Sequence, residues 1–323
     1  MDLKLGYLLP TRERVMLGTH ETDEIIALGE FAEGAGLDSI WIGDSLLAKP
    51  RHDPLALLAA IAARTTSITL GTAVLLPMLR NPVLLAHQVA TIDQISHGRL
   101  ILGVGIARDV VAIRNEFTAA GVPFEGRIGT LLEGLRLCRA LWSETTPVNW
   151  SGRWTVRDAQ LAPKPFTPGG PPIWGGGGVR GALIRCGKYF DGWFPSGAGT
   201  SIDWQDSWAI ARAAASDAGR DSSTLVGAAY VTLAIDDDAT SANKQLDAYL
   251  ERYYQQPAAR IRASQYCFAG TEEAATQWLE GFVRAGVSHL CVRFTGSEDR
   301  AQIRWLVSAR ASLQEHLPDT PLS

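Results

Sequence analysis

The apolar residues of this 323-residue chain fall into two alternating textures. Short continuous Val/Ile/Leu runs recur at Lys4–Leu9, Ser39–Ile42, Ile68–Leu76, Leu100–Val104, Pro172–Trp174, Gly192–Phe194, Leu225–Leu233 and Ser288–Phe294. Such runs predict strands buried on both faces. Between them lie longer stretches with apolar residues at helical spacing: Thr22–Ala35, a segment opening at Asp53-Pro54, Asn81-Pro82 to Ile95, Arg127–Trp142, Val179–Gly187, Trp204–Ala218, Thr240–Tyr254, Thr271–Ala285 and Asp299–His316. Asp-Pro and Asn-Pro supply an N-cap followed by proline at the first helical position, and Gly34 and Gly36 mark a helix end. Eight strands, each followed by a helix, predict a parallel sheet closed into a (β/α)₈ TIM barrel, with a doubly wound open sheet as the alternative. The spacing leaves insertions after strands 4 and 7, at about 106–170 and 255–270. The first holds a hairpin over Val148–Leu161 around Ser151-Gly152, and insertions of this size often act as lids. Residues 1–323 read as one domain.

Composition narrows the class. Apolar residues make up 46%, enough for a large core, and the net charge is −4 with no basic block, which argues against nucleic acid. No apolar run approaches the ~20 residues of a membrane span, and the start shows no signal peptide, so a cytoplasmic protein is expected. The four cysteines (Cys138, Cys186, Cys267, Cys291) are scattered, and the six histidines form no His-x-x-x-His pair, so neither a disulfide frame nor a metal site is expected.

Chemistry in such a barrel sits where strands end. The run Pro171-Pro-Ile-Trp-Gly-Gly-Gly-Gly-Val-Arg180 carries strand 5 into a helix start through Gly175, Gly176, Gly177 and Gly178. Uncovered backbone N–H groups, a helix dipole and Arg180 together make a phosphate site, although a tight turn would also use glycine. Other strand ends bring Arg12, Asp44, Ser45, Gly105, Arg108, Tyr230 and Arg293 to the mouth, with His52 in a loop nearby. Leu46, Leu47, Leu76, Met78 and Ile106 predict an apolar mouth and a small hydrophobic substrate. Arg99, at the start of strand 4, belongs to the opposite face and reads as structural, as do Asp93, Ser96 and a partly buried His87. Trp142, Trp150 and Trp154 read as packing for the hairpin.

Five runs, in order, carry a resemblance: Gly36-Leu-Asp-Ser-Ile-Trp-Ile-Gly-Asp44, Ile68-Thr-Leu-Gly-Thr-Ala-Val74, Ala90-Thr-Ile-Asp-Gln-Ile-Ser-His-Gly-Arg99, Leu102-Gly-Val-Gly105 and Ile173-Trp-Gly-Gly-Gly-Gly-Val-Arg180. The chain resembles the bacterial luciferase-like flavin- and deazaflavin-dependent oxidoreductases. That resemblance implies a barrel binding reduced FMN or coenzyme F420 in its mouth, with exchangeable flavin, a separate flavin reductase as partner, and a homodimer or higher oligomer. It implies a phosphate loop at Gly176, Gly177, Gly178, Val179 and Arg180, and a non-proline cis peptide at Ala73-Val74 behind the ring. Where many members have a histidine after Asp44, this chain has Ser45, which has no titration near neutrality.

The expected function is therefore a reduced-flavin oxidoreductase. An FMNH₂/O₂-dependent monooxygenase of a small hydrophobic substrate is the first reading, and F420-dependent hydride transfer the alternative. In the first reading Asp44, Ser45 and Arg108 are the catalytic candidates, and Arg12, His52 and Tyr230 meet substrate or cofactor. A non-catalytic flavin-binding subunit and a non-redox phosphosugar enzyme are the remaining options; the latter would need a mouth lysine or carboxylate pair, and only Lys49 and Lys164 lie near.

Overall fold

The computed structural model describes residues 2–317. The order is β1 (Lys4–Leu8), α1 (Thr11–Met16), α2 (Asp23–Ala35), β2 (Ser39–Ile42), α3 (Pro54–Ala62), β3 (Thr69–Thr72), α4 (Pro82–Ser96), β4 (Leu100–Val104), α5 (Val111–Ala119), α6 (Arg127–Ser143), β5 (Val148–Ser151) and β6 (Thr155–Ala159). It continues β7 (Ile173–Gly175), α7 (Arg180–Tyr189), β8 (Gly192–Trp193), α8 (Ser201–Asp217), β9 (Val226–Ile235), α9 (Ala239–Tyr254), α10 (Ala258–Arg262), β10 (Cys267–Gly270), α11 (Glu272–Arg284), β11 (His289–Phe294), α12 (Asp299–Ser308) and α13 (Arg310–Gln314).

Eight parallel strands close in the order β1-β2-β3-β4-β7-β8-β9-β11, with β8 pairing β9 to complete the ring. This is the predicted TIM barrel. β10 adds a ninth parallel strand along β9, from Thr232 to Ile235, on the edge that the two-residue β8 leaves vacant. The sequence reading missed β10, α1, α5 and α10. It also ran strand 3 through to Leu76, whereas β3 ends at Thr72 and the chain turns at a cis Ala73-Val74 bond. The capping reading holds: Asp53 accepts from Ala56 N at 2.9 Å and Asn81 from Val83 N at 2.9 Å, each with proline next. The hairpin β5–β6 forms in the first insertion, and its Arg153 donates to Glu133 of α6, so it packs on the outer helix layer.

The barrel interior is filled by few, large side chains. Leu8, Trp41, Ala73, Trp174, Phe194, Ala228 and Cys291 form one buried cluster. Trp41 fits because Gly71 on the next strand leaves the space its ring occupies; a Cβ there would overlap the indole. Below it, Ser39 Oγ accepts from Trp41 Nε1 at 2.8 Å and lies 2.7 Å from Nε2 of buried His289. Outside, Arg99, immediately before β4, donates to Ser96, Thr65, Ile68 and Ala62, a structural role at the bottom of the barrel. His87 is exposed rather than partly buried, because its position on α4 turns away from the sheet.

Burial holds the His289 imidazole down at about 4. Because the folded value lies below the unfolded ~6.5, the native state binds fewer protons, so this group's contribution is complete above pH 6.5 and is lost as pH falls toward 4. The expected loss is about 3 kcal/mol across that window. Urea midpoints of wild type and His289→Gln measured from pH 7 to 4.5 should converge; parallel curves would refute it.

Candidate active site at the barrel mouth

The glycine run is built as expected at the end of β7. Gly175 is buried against Phe190 and Cys186, while Gly177, Gly178, Val179 and Arg180 are exposed and lead into α7. Gly177 has φ 102°, which favours glycine. Gly176 N donates to Val104 O, and Trp193 Nε1 to Gly177 O. Among the described residues, no acceptor engages the N–H groups from Gly177 to Gly181. α7 has no side-chain cap, so its first turn presents free donors and the positive dipole end to the same solvent face. Those donors and Arg180, which makes no ion pair among the described residues, fit the phosphate of a flavin-type cofactor.

Across the ring, the chain after β3 lines the mouth. Ala73-Val74 is cis, as the resemblance implied. Gly105 backs it: a Cβ there would stand 2.6 Å from Val74 Cγ2. Asp44 is nearby, its side chain 2% exposed. Its carboxylate is held by Arg80 Nη1 and Nη2 at 2.6 and 3.1 Å and by Leu76 N at 2.9 Å. Ser45 is likewise engaged: its Oγ donates to Glu116 Oε1 at 2.8 Å and accepts from Lys49 N at 2.9 Å. Glu116, on α5, also accepts from Leu47 N and Ala48 N, and its Oε2 is buried without a partner. Sequence reasoning missed this glutamate because α5 itself was missed.

The other candidates separate. Arg12 was read into a mobile loop; it is instead buried in α1, donating to Tyr253 O at 3.0 Å, because the short helix tucks it beneath α9. Arg108 is exposed and makes no ion pair among the described residues. His52 is half-buried, with Nε2 3.1 Å from His20 O, which ties it to the loop before α2. Tyr230 lies mid-strand in β9, its ring 6.2 Å from Phe194 and 5.3 Å from the Arg293 guanidinium; burial pushes its hydroxyl well up, keeping it neutral.

The apolar mouth is corrected. Leu76 and Met78 turn into the core, at 6% and 3% exposure: the chain bends at Ala73-Val74, pairs once more in parallel with β4 through Leu75, and then enters a short turn over Pro77–Leu79. Leu46 and Leu47 point to solvent. What faces the mouth on the β1–β2–β11 side is cationic and aromatic: Arg12, Lys49, Arg51 and Arg293 around Tyr253 and Tyr254. Burial, then Arg51, Arg12, Arg108 and Arg293, push the Lys49 ammonium down to about 7. The basic pair flanking Pro50 and an arginine ending strand 8 were the available signals.

Comparison with known proteins adds to this geometry. A family model described as luciferase-like monooxygenase matches residues 3–309. An F420-dependent glucose-6-phosphate dehydrogenase of Kineococcus radiotolerans is 29% identical over 312 residues, covering 87% of this chain and 89% of that protein. Among solved structures, an F420-dependent secondary alcohol dehydrogenase in complex with an F420-acetone adduct superposes with TM-score 0.81 at 20% identity, covering 96% of this chain and 98% of its own. Monooxygenase RslO1 of Streptomyces bottropensis superposes with TM-score 0.79 at 21% identity, covering 95% and 98%. At these identities the two structures speak to the fold.

Proposed function

The chain belongs to the luciferase-like monooxygenase family, and from that premise we propose that it is an F420-dependent oxidoreductase moving a hydride between the deazaflavin and a small organic substrate. This reverses the order of the two cofactors reached from sequence, where the absence of histidine after Asp44 favoured FMN. The observation that carries it is a relative matched along nearly its whole length whose name states F420 dependence. The missing histidine weighs less, since Ser45 and Asp44 are both locked into local structure and the mouth has another group that titrates near neutrality.

Bound F420 would supply the hydride chemistry. The chain's part is to hold and orient. The N–H groups of Gly177–Gly181 and Arg180 grip the phosphate. The Ala73-Val74 segment, pinned from behind by Gly105, gives the ring a fixed surface. Asp44 and Arg80 lock that segment to β2. Trp41, Trp174 and Phe194 close the barrel beneath and exclude water from below.

Anaerobic tryptophan-fluorescence titration tests this. F420 is expected to bind in the micromolar range and more tightly than FMN or reduced FMN, and Arg180→Ala is expected to weaken it about tenfold, the loss of one charge-assisted contact. Tighter binding of reduced FMN, with oxygen consumption, would overturn the F420 reading in favour of a monooxygenase. Binding of neither would remove the cofactor assignment.

A further inference from the structure

Arg12, Lys49, Arg51 and Arg293 come from α1, the β2–α3 loop and β11, and meet around two adjacent rings. The Arg12, Arg51 and Arg293 guanidiniums lie 4.8, 5.9 and 4.7 Å from the Tyr253 centroid, and Lys49 Nζ lies 4.1 Å from that of Tyr254. Their hydrogen bonds go to neutral acceptors. Arg51 donates to Tyr253 Oη and Lys49 O; Arg293 donates to Thr232 Oγ1, Tyr254 Oη and Gln265 Oε1. None of the four makes an ion pair among the described residues. The nearby carboxylate is Glu13, which already accepts from Tyr249 Oη. Arg12 is 6% exposed and its Nε is buried with no partner. Four cations, three of them arginines, set against ring faces, neutral oxygens and the one nearby carboxylate Glu13, are poorly compensated. Three arginine forks and an ammonium are the donor set that chelates an oxyanion.

We propose that this cluster binds an oxyanion of the substrate, a carboxylate or a phosphate, so that the proposed oxidoreductase acts on an anionic small molecule and not on a hydrophobic one. The inference rests on the F420 reading for its reaction but not for its ligand. Going round the ring, β1 stands four strands from β7, so the cluster sits opposite the glycine run. A cofactor whose phosphate is held at β7 leaves this side of the mouth to substrate. Lys49 faces Arg51 on its own loop, Arg12 of α1, Arg108 after β4, Arg293 of β11 and Tyr254 of α9, with Glu116 of α5 bonded to the neighbouring Ala48 N. An anion placed among those cations would return Lys49 to its charged form, so binding above pH 7 takes up a proton.

Calorimetric titration of the full chain with sodium sulfate and, separately, sodium malonate, at fixed ionic strength and pH 8, tests this. At least one anion should bind, with heat that varies with buffer ionisation enthalpy in the sense of proton uptake. Lys49→Met should weaken it at least tenfold. Lys49→Arg should restore binding without the proton uptake, which separates an ionic role from a structural one. Arg180→Ala should leave the Lys49-dependent part of the anion binding unchanged, whatever sulfate the glycine run itself takes up. Two outcomes overturn the proposal: Lys49→Met binding like wild type, or Arg180→Ala abolishing binding, which would put the anion in the glycine run. Repeating the F420 titration on Lys49→Met keeps the readings apart. Unchanged F420 affinity with lost sulfate or malonate binding supports a substrate site. A parallel loss of both assigns the cluster to the cofactor and overturns it. Sulfate or malonate binding in a chain that ignores F420 leaves this site standing and removes the proposed function.

Discussion

Asp44→Ala is expected to destabilise the protein by about 3–5 kcal/mol, the cost of breaking a buried ion pair by removing one partner. The Asp44 side chain is 2% exposed and Arg80's 13%, so water screens the pair little. Truncation leaves the Arg80 guanidinium half-buried, with only the partly exposed Asp53 for company at 2.9 Å, and strips Leu76 N of its acceptor. The end of β2 loses its tie both to the segment after the cis bond, through Leu76 N, and to Arg80, which stays paired only with the α3 N-cap Asp53. Asp44→Asn should cost less, because an amide oxygen still accepts from Leu76 N. The double variant Asp44→Ala/Arg80→Met should recover part of the loss, since it removes the orphaned charge along with its partner. Urea midpoints at constant m-value measure all three. An Asp44→Ala midpoint within about 0.5 kcal/mol of wild type would show that the pair is not holding the mouth. Turnover should fall with the disorder of the Ala73–Leu76 segment.

The barrel was legible because its strands are buried on both faces, which writes them as uninterrupted Val/Ile/Leu runs, and because Asp53-Pro54 and Asn81-Pro82 announce helices chemically. The same rule misled at strand 3. Residues 73–76 continue the apolar run, yet the ladder breaks at Ala73-Val74 and only Leu75 pairs with β4 again, and hydrophobicity cannot distinguish an unbroken strand from an apolar bend that feeds the core. α1 spans six residues and α5 carries polar residues on most faces, too short or too mixed for a periodicity to stand out. β10 is a four-residue Cys-Phe-Ala-Gly segment whose register depends on β9.

The site divides along the same line. The glycine run is local: strand, loop and helix start occupy consecutive residues, so its chemistry can be read directly. The cation cluster is not local. Arg12, Lys49 and Arg293 lie on three different βα units and meet only because β11 closes onto β1 and β1 pairs β2. Asp44 was visible as a mouth carboxylate, but its partner Arg80 lies beyond the next strand, and that pairing makes it a positioning group. The predicted apolar mouth failed at the same place as strand 3: Leu76, read as a strand end, and Met78 just after it lie beyond the bend at Ala73-Val74 and pack into the core.

Gly103→Ala is expected to cost about 3 kcal/mol or more, at the upper end of overpacking. A Cβ on Gly103 would overlap the carbonyl oxygen of Thr72, a backbone atom with no rotamer to yield. β3 and β4 cannot separate cheaply, because Gly103 O accepts from Thr72 Oγ1 at 2.8 Å and from Leu75 N at 2.7 Å. β4 therefore clasps both sides of the Ala73-Val74 bond, and any shift reaches the surface proposed to carry the cofactor ring. Gly178→Ala is the matched contrast. A Cβ there meets nothing within 4 Å, so stability should stay within about 0.5 kcal/mol of wild type. A methyl beside the free N–H groups at the start of α7 should nevertheless weaken F420 binding about tenfold, roughly one hydrogen bond's net worth. The pair separates a glycine required by packing from one required by ligand approach. Unfolding midpoints and fluorescence titrations on both variants decide it. A stable Gly103→Ala would mean that the barrel yields at β4, and a Gly178→Ala that binds F420 like wild type would move the phosphate away from the glycine run.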